Sequence, residues 1–234
     1  MPNTDSSSRR SENAGGEFRL PKTSQHLAII GRNGTGKTQA ALWHLSNQPI
    51  DKMPYIALDF KGDEHINGIE RAKHIGLDDP LPRSPGIYVV HPSPADTKAG
   101  NVERFLWRVY EREKIGLWID EGYMLGDSEA FETLLTQGRS KRIPIITLTQ
   151  RPVWVSRFVF SESMFYQIFG LTDRRDKKTI ESFVPVNMDA RLPEFHSYYY
   201  DVGRDKLTAL APVPDEATIQ ASIDSKLKSI RRGL

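Results

Sequence analysis

The chain has 234 residues, 38% of them hydrophobic and 26% charged, which suits one large α/β-sized domain with short appendages better than two full domains. It contains no cysteine, so disulfides, thiolate zinc sites and cysteine nucleophiles are excluded. The 32 Lys+Arg and 30 Asp+Glu leave a net charge of only +2, so any basic surface has to be local.

No apolar run approaches the roughly 18 residues needed to span a bilayer. The N-terminus has an Arg pair but no apolar stretch after it, so it does not read as a secretory leader and a cytosolic protein is expected. Residues 1–24 are rich in Ser, Asn, Gly, Arg and Glu with little to bury, and read as a flexible tail. From residue 25 to 211 short apolar runs alternate with helical patterns, as in a mainly parallel sheet flanked by helices. A strand over 26–30 leads through a Gly-rich turn to a helix over 37–45 and a strand over 55–60. Residues 61–75 are polar and mixed, and Pro80, Pro82 and Pro85 punctuate a loop before a strand over 87–90.

Val102, Phe105, Leu106 and Val109 repeat at helical spacing, so a helix is expected over 101–114. A buried strand over 115–119 ends in Asp120 and Glu121, followed by a helix over 128–137 and a strand over 143–149. Beyond lie an apolar segment over 164–171, a polar helix near 176–183, and two strand-like runs, 198–202 and 207–210, with Gly203 between them as in a hairpin. Residues 212–234 form a separate amphipathic basic helix, with Ile219, Ile223, Leu227 and Ile230 on one face. Asp215 and Glu216 open it and Lys226, Lys228, Arg231 and Arg232 close it, which suits the helix dipole.

The strongest chemical signal is Gly31-Arg32-Asn33-Gly34-Thr35-Gly36-Lys37-Thr38, a full G-x-x-x-x-G-K-[ST] run between a strand and a helix. In that context the glycines let successive N–H groups turn towards phosphates, and the helix start, including Gln39, adds its positive end. Lys37 is positioned for the β- and γ-phosphates of ATP and Thr38 for Mg²⁺. Asp120, at the tip of an apolar strand, would stand beside the same Mg²⁺, and Glu121 where a carboxylate could orient and deprotonate an attacking water. Gln150, at the tip of the next strand, could hydrogen-bond the γ-phosphate or that water. Residues 139–178 hold nine cations (Arg139, Lys141, Arg142, Arg151, Arg157, Arg174, Arg175, Lys177, Lys178) against three acids, a local excess compatible with DNA phosphates or with subunit ion pairs. His65, His74, His91 and His196 lack ligand-like spacing and are assigned no metal.

Together the P-loop, the Leu58-Asp59-Phe60-Lys61-Gly62 run, the Trp118-Ile119-Asp120-Glu121 strand end, and the Gln137-Gly138-Arg139-Ser140-Lys141-Arg142 run before Thr149-Gln150-Arg151-Pro152 resemble the FtsK/HerA superfamily of DNA-pumping ATPases over residues 26–185. The resemblance implies a RecA-like α/β P-loop NTPase domain of the ASCE type, with a mainly parallel central sheet flanked by helices. It places Asp59 and Lys61 near the nucleotide and makes Gln150 the sensor. It also offers Arg139 to the nucleotide of a neighbouring subunit. Apart from the resemblance, Lys141 and Arg142, close to it in sequence, and then Arg174 or Arg175, are alternatives for that role.

A stripped core of this size is most similar to the genome-packaging ATPases of tectivirus-like internal-membrane bacteriophages. That likeness implies ATP-driven translocation of double-stranded DNA into a preformed capsid by a pentameric or hexameric ring. It further implies docking on portal-vertex or viral membrane proteins, and residence in the host cytoplasm before assembly, with association at a packaging vertex of the virion afterwards. Two other readings stay open: a filamentous-phage-type assembly ATPase or non-hydrolysing scaffold, and a small-molecule or nucleotide kinase, which would not need Glu121 to activate water.

Overall fold

The computed structural model describes residues 18–230. In chain order the elements are β1 (His26–Ile30), α1 (Lys37–Asn47), β2 (Pro54–Leu58), α2 (Glu64–Asn67), β3 (Lys73–His74), β4 (Gly86–Val90), α3 (Pro94–Lys98), α4 (Asn101–Arg112) and β5 (Gly116–Ile119). There follow α5 (Glu129–Gln137), β6 (Ile145–Thr149), α6 (Phe158–Ser161), β7 (Ser163–Ile168), α7 (Arg174–Glu181), β8 (Ser197–Asp201), β9 (Lys206–Leu210) and α8 (Glu216–Ile230).

Among the described residues the strands form one nine-stranded sheet in the order β3-β4-β2-β5-β6-β1-β7-β8-β9. The pairings from β3 to β7 are parallel, and β7-β8 and β8-β9 are antiparallel. The mixed α/β expectation is met, and the 198–210 hairpin supplies the antiparallel edge.

All five residues of β1, β2, β4 and β6 are buried, because helices cover both faces, so these strands carry continuous apolar runs rather than alternation. Ala28 and Ile30 point into a core completed by Phe105 and Val109 of α4, Phe131 and Leu134 of α5, and Ile180 of α7. Leu27 and Ile29 point the other way, onto Ala41 and Leu45 of α1 and Ile219, Ile223 and Leu227 of α8. The C-terminal helix thus packs on the domain through the face its spacing marked out, and Arg231 and Arg232 lie outside the described residues.

Residues 1–17 of the expected tail likewise lie outside the described residues. Residues 18–24 depart from that expectation because they find partners. Arg19 pairs with Asp201, the Gln48 side chain donates to the Pro21 carbonyl at 3.0 Å, and the Phe18 ring lies 4.8 Å from that of Tyr199.

Other differences have local causes. The strand expected to reach Phe60 stops at Leu58, since the Asp59 carboxylate accepts from the N–H groups of Lys61, Gly62 and Asp63 and folds the chain into a turn. The polar 61–75 segment holds α2 and the two-residue edge strand β3, both too short for a periodic signal. Helix α3 follows a Ser93/Asp96 capping box with Pro94 in its first turn. Helix α4 ends at Arg112, short of the expected residue 114, because Glu113 and Lys114 take φ of 57° and 51°.

Candidate functional site

The site forms at the C-terminal ends of the parallel strands, where open α/β sheets hold their ligands. Strand β1 stops at Ile30, and the Gly31 and Arg32 N–H groups bond to the carbonyls of Thr149, at the end of β6, and Gly170, just beyond β7. The loop then turns through Gly34 (φ 74°) and Gly36 (φ 92°), a backbone that L side chains rarely adopt. Gly36 is the N-cap of α1, and neither a side-chain cap nor an acidic residue occupies the first turn. The leading N–H groups of Lys37, Thr38 and Gln39 are therefore open to an anion.

Lys37 is buried, its ammonium reaches back to the Arg32 carbonyl at 3.0 Å, and burial lowers its proton affinity. Thr35 closes the same loop by donating to the Arg32 carbonyl at 2.8 Å. Arg32 and Asn33 are exposed on the loop, and the Gln39 side chain is occupied with the Pro214 carbonyl at 2.6 Å.

Across a cavity of about 490 Å³ from this loop stand Lys61, Asp63, His65, Asp120 and Glu121. The Asp120 N–H continues the β5 ladder to the Leu58 carbonyl of β2, which fixes the carboxylate at the strand tip. Burial first, and then the Glu121 and Asp63 carboxylates, push the Asp120 carboxyl up to about 7. A carboxyl strained in this way calls for a cation.

Glu121 is 3% exposed and holds φ of 61°. A left-handed glutamate is uncommon, and such strain concentrates at functional sites. One carboxylate oxygen pairs with Lys61, and Oε2 has no partner among the described residues.

The donors present fit Mg²⁺. Thr38 Oγ1 donates to Asp63 Oδ2 at 3.3 Å beside the raised Asp120, and no group of three or more His, Asp or Glu ligands exists among the described residues. That sparse set suits a cation that takes most of its oxygens from water and phosphate.

The remaining expected residues fall in three places. Gln150 ends β6, the strand between β5 and β1, and donates to Tyr123 Oη at 3.5 Å. Asp59 is 1% exposed and engaged by its own turn and by His91 at 3.2 Å, so it shapes the loop that presents Lys61 and Asp63 and does not line the cavity.

Arg139 is exposed in the turn before β6. Its charge is felt by His26 at the start of β1, after the larger effect of burial there. It therefore sits a whole strand away from its own P-loop, roughly 16 Å at about 3.3 Å per residue.

Lys141 is paired with Glu113 at 2.6 Å, whereas Arg142 is exposed. Arg174 and Arg175 open α7, which follows β7 on the nucleotide edge. Arg151 braces Asp176 at 3.1 Å and covers the Trp154 ring at 4.3 Å.

Asp63, His65 and Phe195 were not anticipated. Phe195, at φ 58° and 47% exposed, leans over Gly36 and joins Arg32 and Thr35 around an adjoining groove of about 340 Å³. No sequence pattern marks it. Asp63 could have been suspected from the Asp59-x-Lys61-Gly62-Asp63 turn, which ends as the N-cap of α2.

A P-loop strand separated from the Asp-Glu strand by one strand bearing a polar tip defines the class: a RecA-like P-loop ATPase domain of the ASCE type. No family profile matches the chain. The DNA packaging ATPase P9 of Enterobacteria phage PRD1 is 44% identical over 218 residues, which is 88% of this chain and 95% of P9. The genome packaging NTPase B204 of Sulfolobus turreted icosahedral virus 2, solved with ATP-γS, superposes with a TM-score of 0.65 at 16% identity, over 82% of this chain and 99% of B204. A chain holding ATPases 2 and 3 of Thermomonospora curvata EccC matches over 42% of its length and 88% of this chain, with a TM-score of 0.55 at 14% identity. The chain belongs to the family of viral DNA-packaging ATPases represented by P9.

Proposed function

We propose that this protein hydrolyses ATP to drive double-stranded DNA into a preformed capsid, working as a ring of identical subunits. The observation that carries the reading is the 44% identity with a DNA packaging ATPase across nearly the whole length of both chains. The catalytic geometry supports it independently, because a kinase or a passive scaffold has no use for a buried, strained Glu121 with one uncommitted oxygen opposite Lys37.

In this reading the first-turn N–H groups of α1 and the Lys37 ammonium hold the β- and γ-phosphates, and Phe195 covers the base in the groove beside Arg32. Thr38 and Asp120, with Asp63 behind them, would hold Mg²⁺. When bound, the ion would offset the negative charge of the phosphates. Glu121 takes the proton of the water that attacks the γ-phosphorus as the bond to the β-bridging oxygen breaks, and Lys61 holds the carboxylate in place. Gln150 hydrogen-bonds the same water or the phosphate and passes its state to Tyr123. Arg139, exposed and a strand length from its own P-loop, is the arginine offered to the nucleotide of the adjoining subunit.

Among the described residues no helix is long and apolar enough to cross a membrane. Docking on portal-vertex or viral membrane proteins, and residence in the host cytoplasm before assembly, complete the proposal. It is tested by following ATP turnover with and without linear duplex DNA. Released inorganic phosphate and stimulation by duplex are expected, and phosphate transferred to an acceptor, or ATP bound and not cleaved, would overturn it.

A further inference from the structure

The edge of the sheet opposite the nucleotide carries a second charged feature. Lys52, Arg83, Lys114 and Arg142 each lie two or three residues before a parallel strand, namely β2, β4, β5 and β6, and Arg112 ends the helix before β5. These four strands are sheet neighbours in the order β4-β2-β5-β6. The five cations line one concavity of about 350 Å³ whose floor includes Pro49, Met53 and Pro54, and no carboxylate lines it. Glu113, between Arg112 and Lys114 in the chain, is paired with Lys141 at 2.6 Å, and that ammonium is packed 4.4 Å from the Tyr110 ring. The side chains of Lys52, Arg83, Arg112 and Arg142 make no ion pair or hydrogen bond among the described residues.

Nucleotide chemistry does not explain this cluster, because ligands of open α/β sheets sit at the other edge. Nor is it a by-product of regular loops. Lys114 and Arg142 both adopt left-handed backbone, at φ 51° and 55°, and the Lys114 N–H bonds to the Lys141 carbonyl at 3.0 Å, which ties the two turns together. Both turns deliver their side chains to the same hollow.

At about 4.8 Å between strands, four neighbouring strands spread the cations over roughly 14 Å. That exceeds what one triphosphate needs and suits successive phosphates of one DNA strand. We infer that this basic concavity is the surface on each subunit that grips the phosphate backbone of duplex DNA, with Pro49, Met53 and Pro54 facing the sugars. The inference rests on the packaging reading above and names the loops that read its substrate.

The test is a triple variant, Lys52→Gln with Arg83→Gln and Arg112→Gln, at exposed positions outside the catalytic cavity. Binding of a short fluorescent duplex is measured over a series of salt concentrations, alongside DNA-free ATP turnover. Duplex affinity should fall at least tenfold at fixed salt. The plot of log affinity against log salt should flatten by about 2.7, three phosphates at ~0.9 each. DNA-free turnover should be unchanged, and the companion variant Arg83→Lys/Arg112→Lys should keep its DNA affinity, because charge rather than shape is at stake.

Unaltered duplex affinity and salt slope in a variant with normal turnover would overturn the assignment. So would lost binding to anionic phospholipid vesicles with DNA binding intact, which would give the hollow to a membrane surface. Wild-type protein that hydrolyses ATP but neither binds nor responds to duplex would instead sink the packaging reading itself.

Discussion

Replacing Glu121 with Gln keeps the shape of the side chain and removes its capacity to take a proton, so it separates the chemistry of this residue from its packing. In the structure one Glu121 oxygen faces Lys61 and the other has no partner among the described residues. The amide oxygen can keep the Lys61 contact, and the fold should survive. A positioned general base contributes about 10²–10⁴ in rate, so turnover should fall by that factor, which corresponds to about 2.7–5.4 kcal/mol of barrier. ATP binding should be retained or slightly tightened, since a negative charge leaves the neighbourhood of the phosphates while Lys37 stays. Asp120 should ionise more readily, because the Glu121 carboxylate is the second cause, after burial, of its raised proton affinity. Single-turnover phosphate release measures the chemical step, and calorimetric titration with a non-hydrolysable ATP analogue measures binding. Turnover within about threefold of wild type would remove Glu121 from the role of base. Binding lost in proportion to turnover would make the residue structural.

Lys37→Ala should weaken ATP binding about 10- to 100-fold, the loss of charge-assisted hydrogen bonds of roughly 1.5–3 kcal/mol, and an unchanged dissociation constant would contradict the P-loop reading. Arg139→Ala and Glu121→Gln subunits, each inactive alone, should recover part of their DNA-stimulated turnover when mixed, since some interfaces then join an intact base to an intact arginine; co-assembled mixtures that stay dead would transfer the role to Arg142, Arg174 or Arg175. His26 and His44 are buried and held neutral, with proton affinities lowered to about 4 chiefly by burial. The unfolded chain binds protons at about 6.5 and the folded one does not, so stability should drop as pH falls from 6.5 to 4, by about 3 kcal/mol per histidine, and level off below. Urea unfolding across that range should show the slope, and His44→Gln should make it shallower; an unchanged slope would mean the ring is protonated in the native state.

What could be read from the chain beforehand follows the range of the interactions involved. Residues 31–38 form a site through their own backbone, so a local pattern suffices to mark it. Asp120 and Glu121 are legible for a related reason, because an apolar run that ends in two acids has to place them at a strand tip. The contact between Lys61 and Glu121 joins residues 60 positions apart and depends on β2 and β5 being neighbours, which periodicity does not specify. Asp59 shows the complementary difficulty. The family resemblance places it with Lys61 near the nucleotide, but a buried aspartate followed by free N–H groups closes a turn on itself. Phe195 is set by a loop whose path is fixed only by the finished domain.

The polarity of the sheet connects the two edges. Every strand from β3 to β7 runs the same way, so residues that follow strands and residues that precede them are separated by a full strand length. The P-loop, Asp120, Glu121 and Gln150 belong to the first group, and Arg139, Arg142 and the cations of the basic hollow to the second. No rotamer of Arg139 crosses roughly 16 Å of buried strand, so a subunit acting alone has no use for that residue at its own phosphates. In the proposed ring, an arrangement with the N-terminal edge of one sheet facing the C-terminal edge of the next would bring Arg139 to a neighbour's site. The turns at Glu113, Lys114 and Arg142, which hold left-handed backbone, would then lie near that interface. A shift in Arg139 on hydrolysis would reach Arg142 directly, because the Arg142 N–H donates to the Arg139 carbonyl at 3.2 Å.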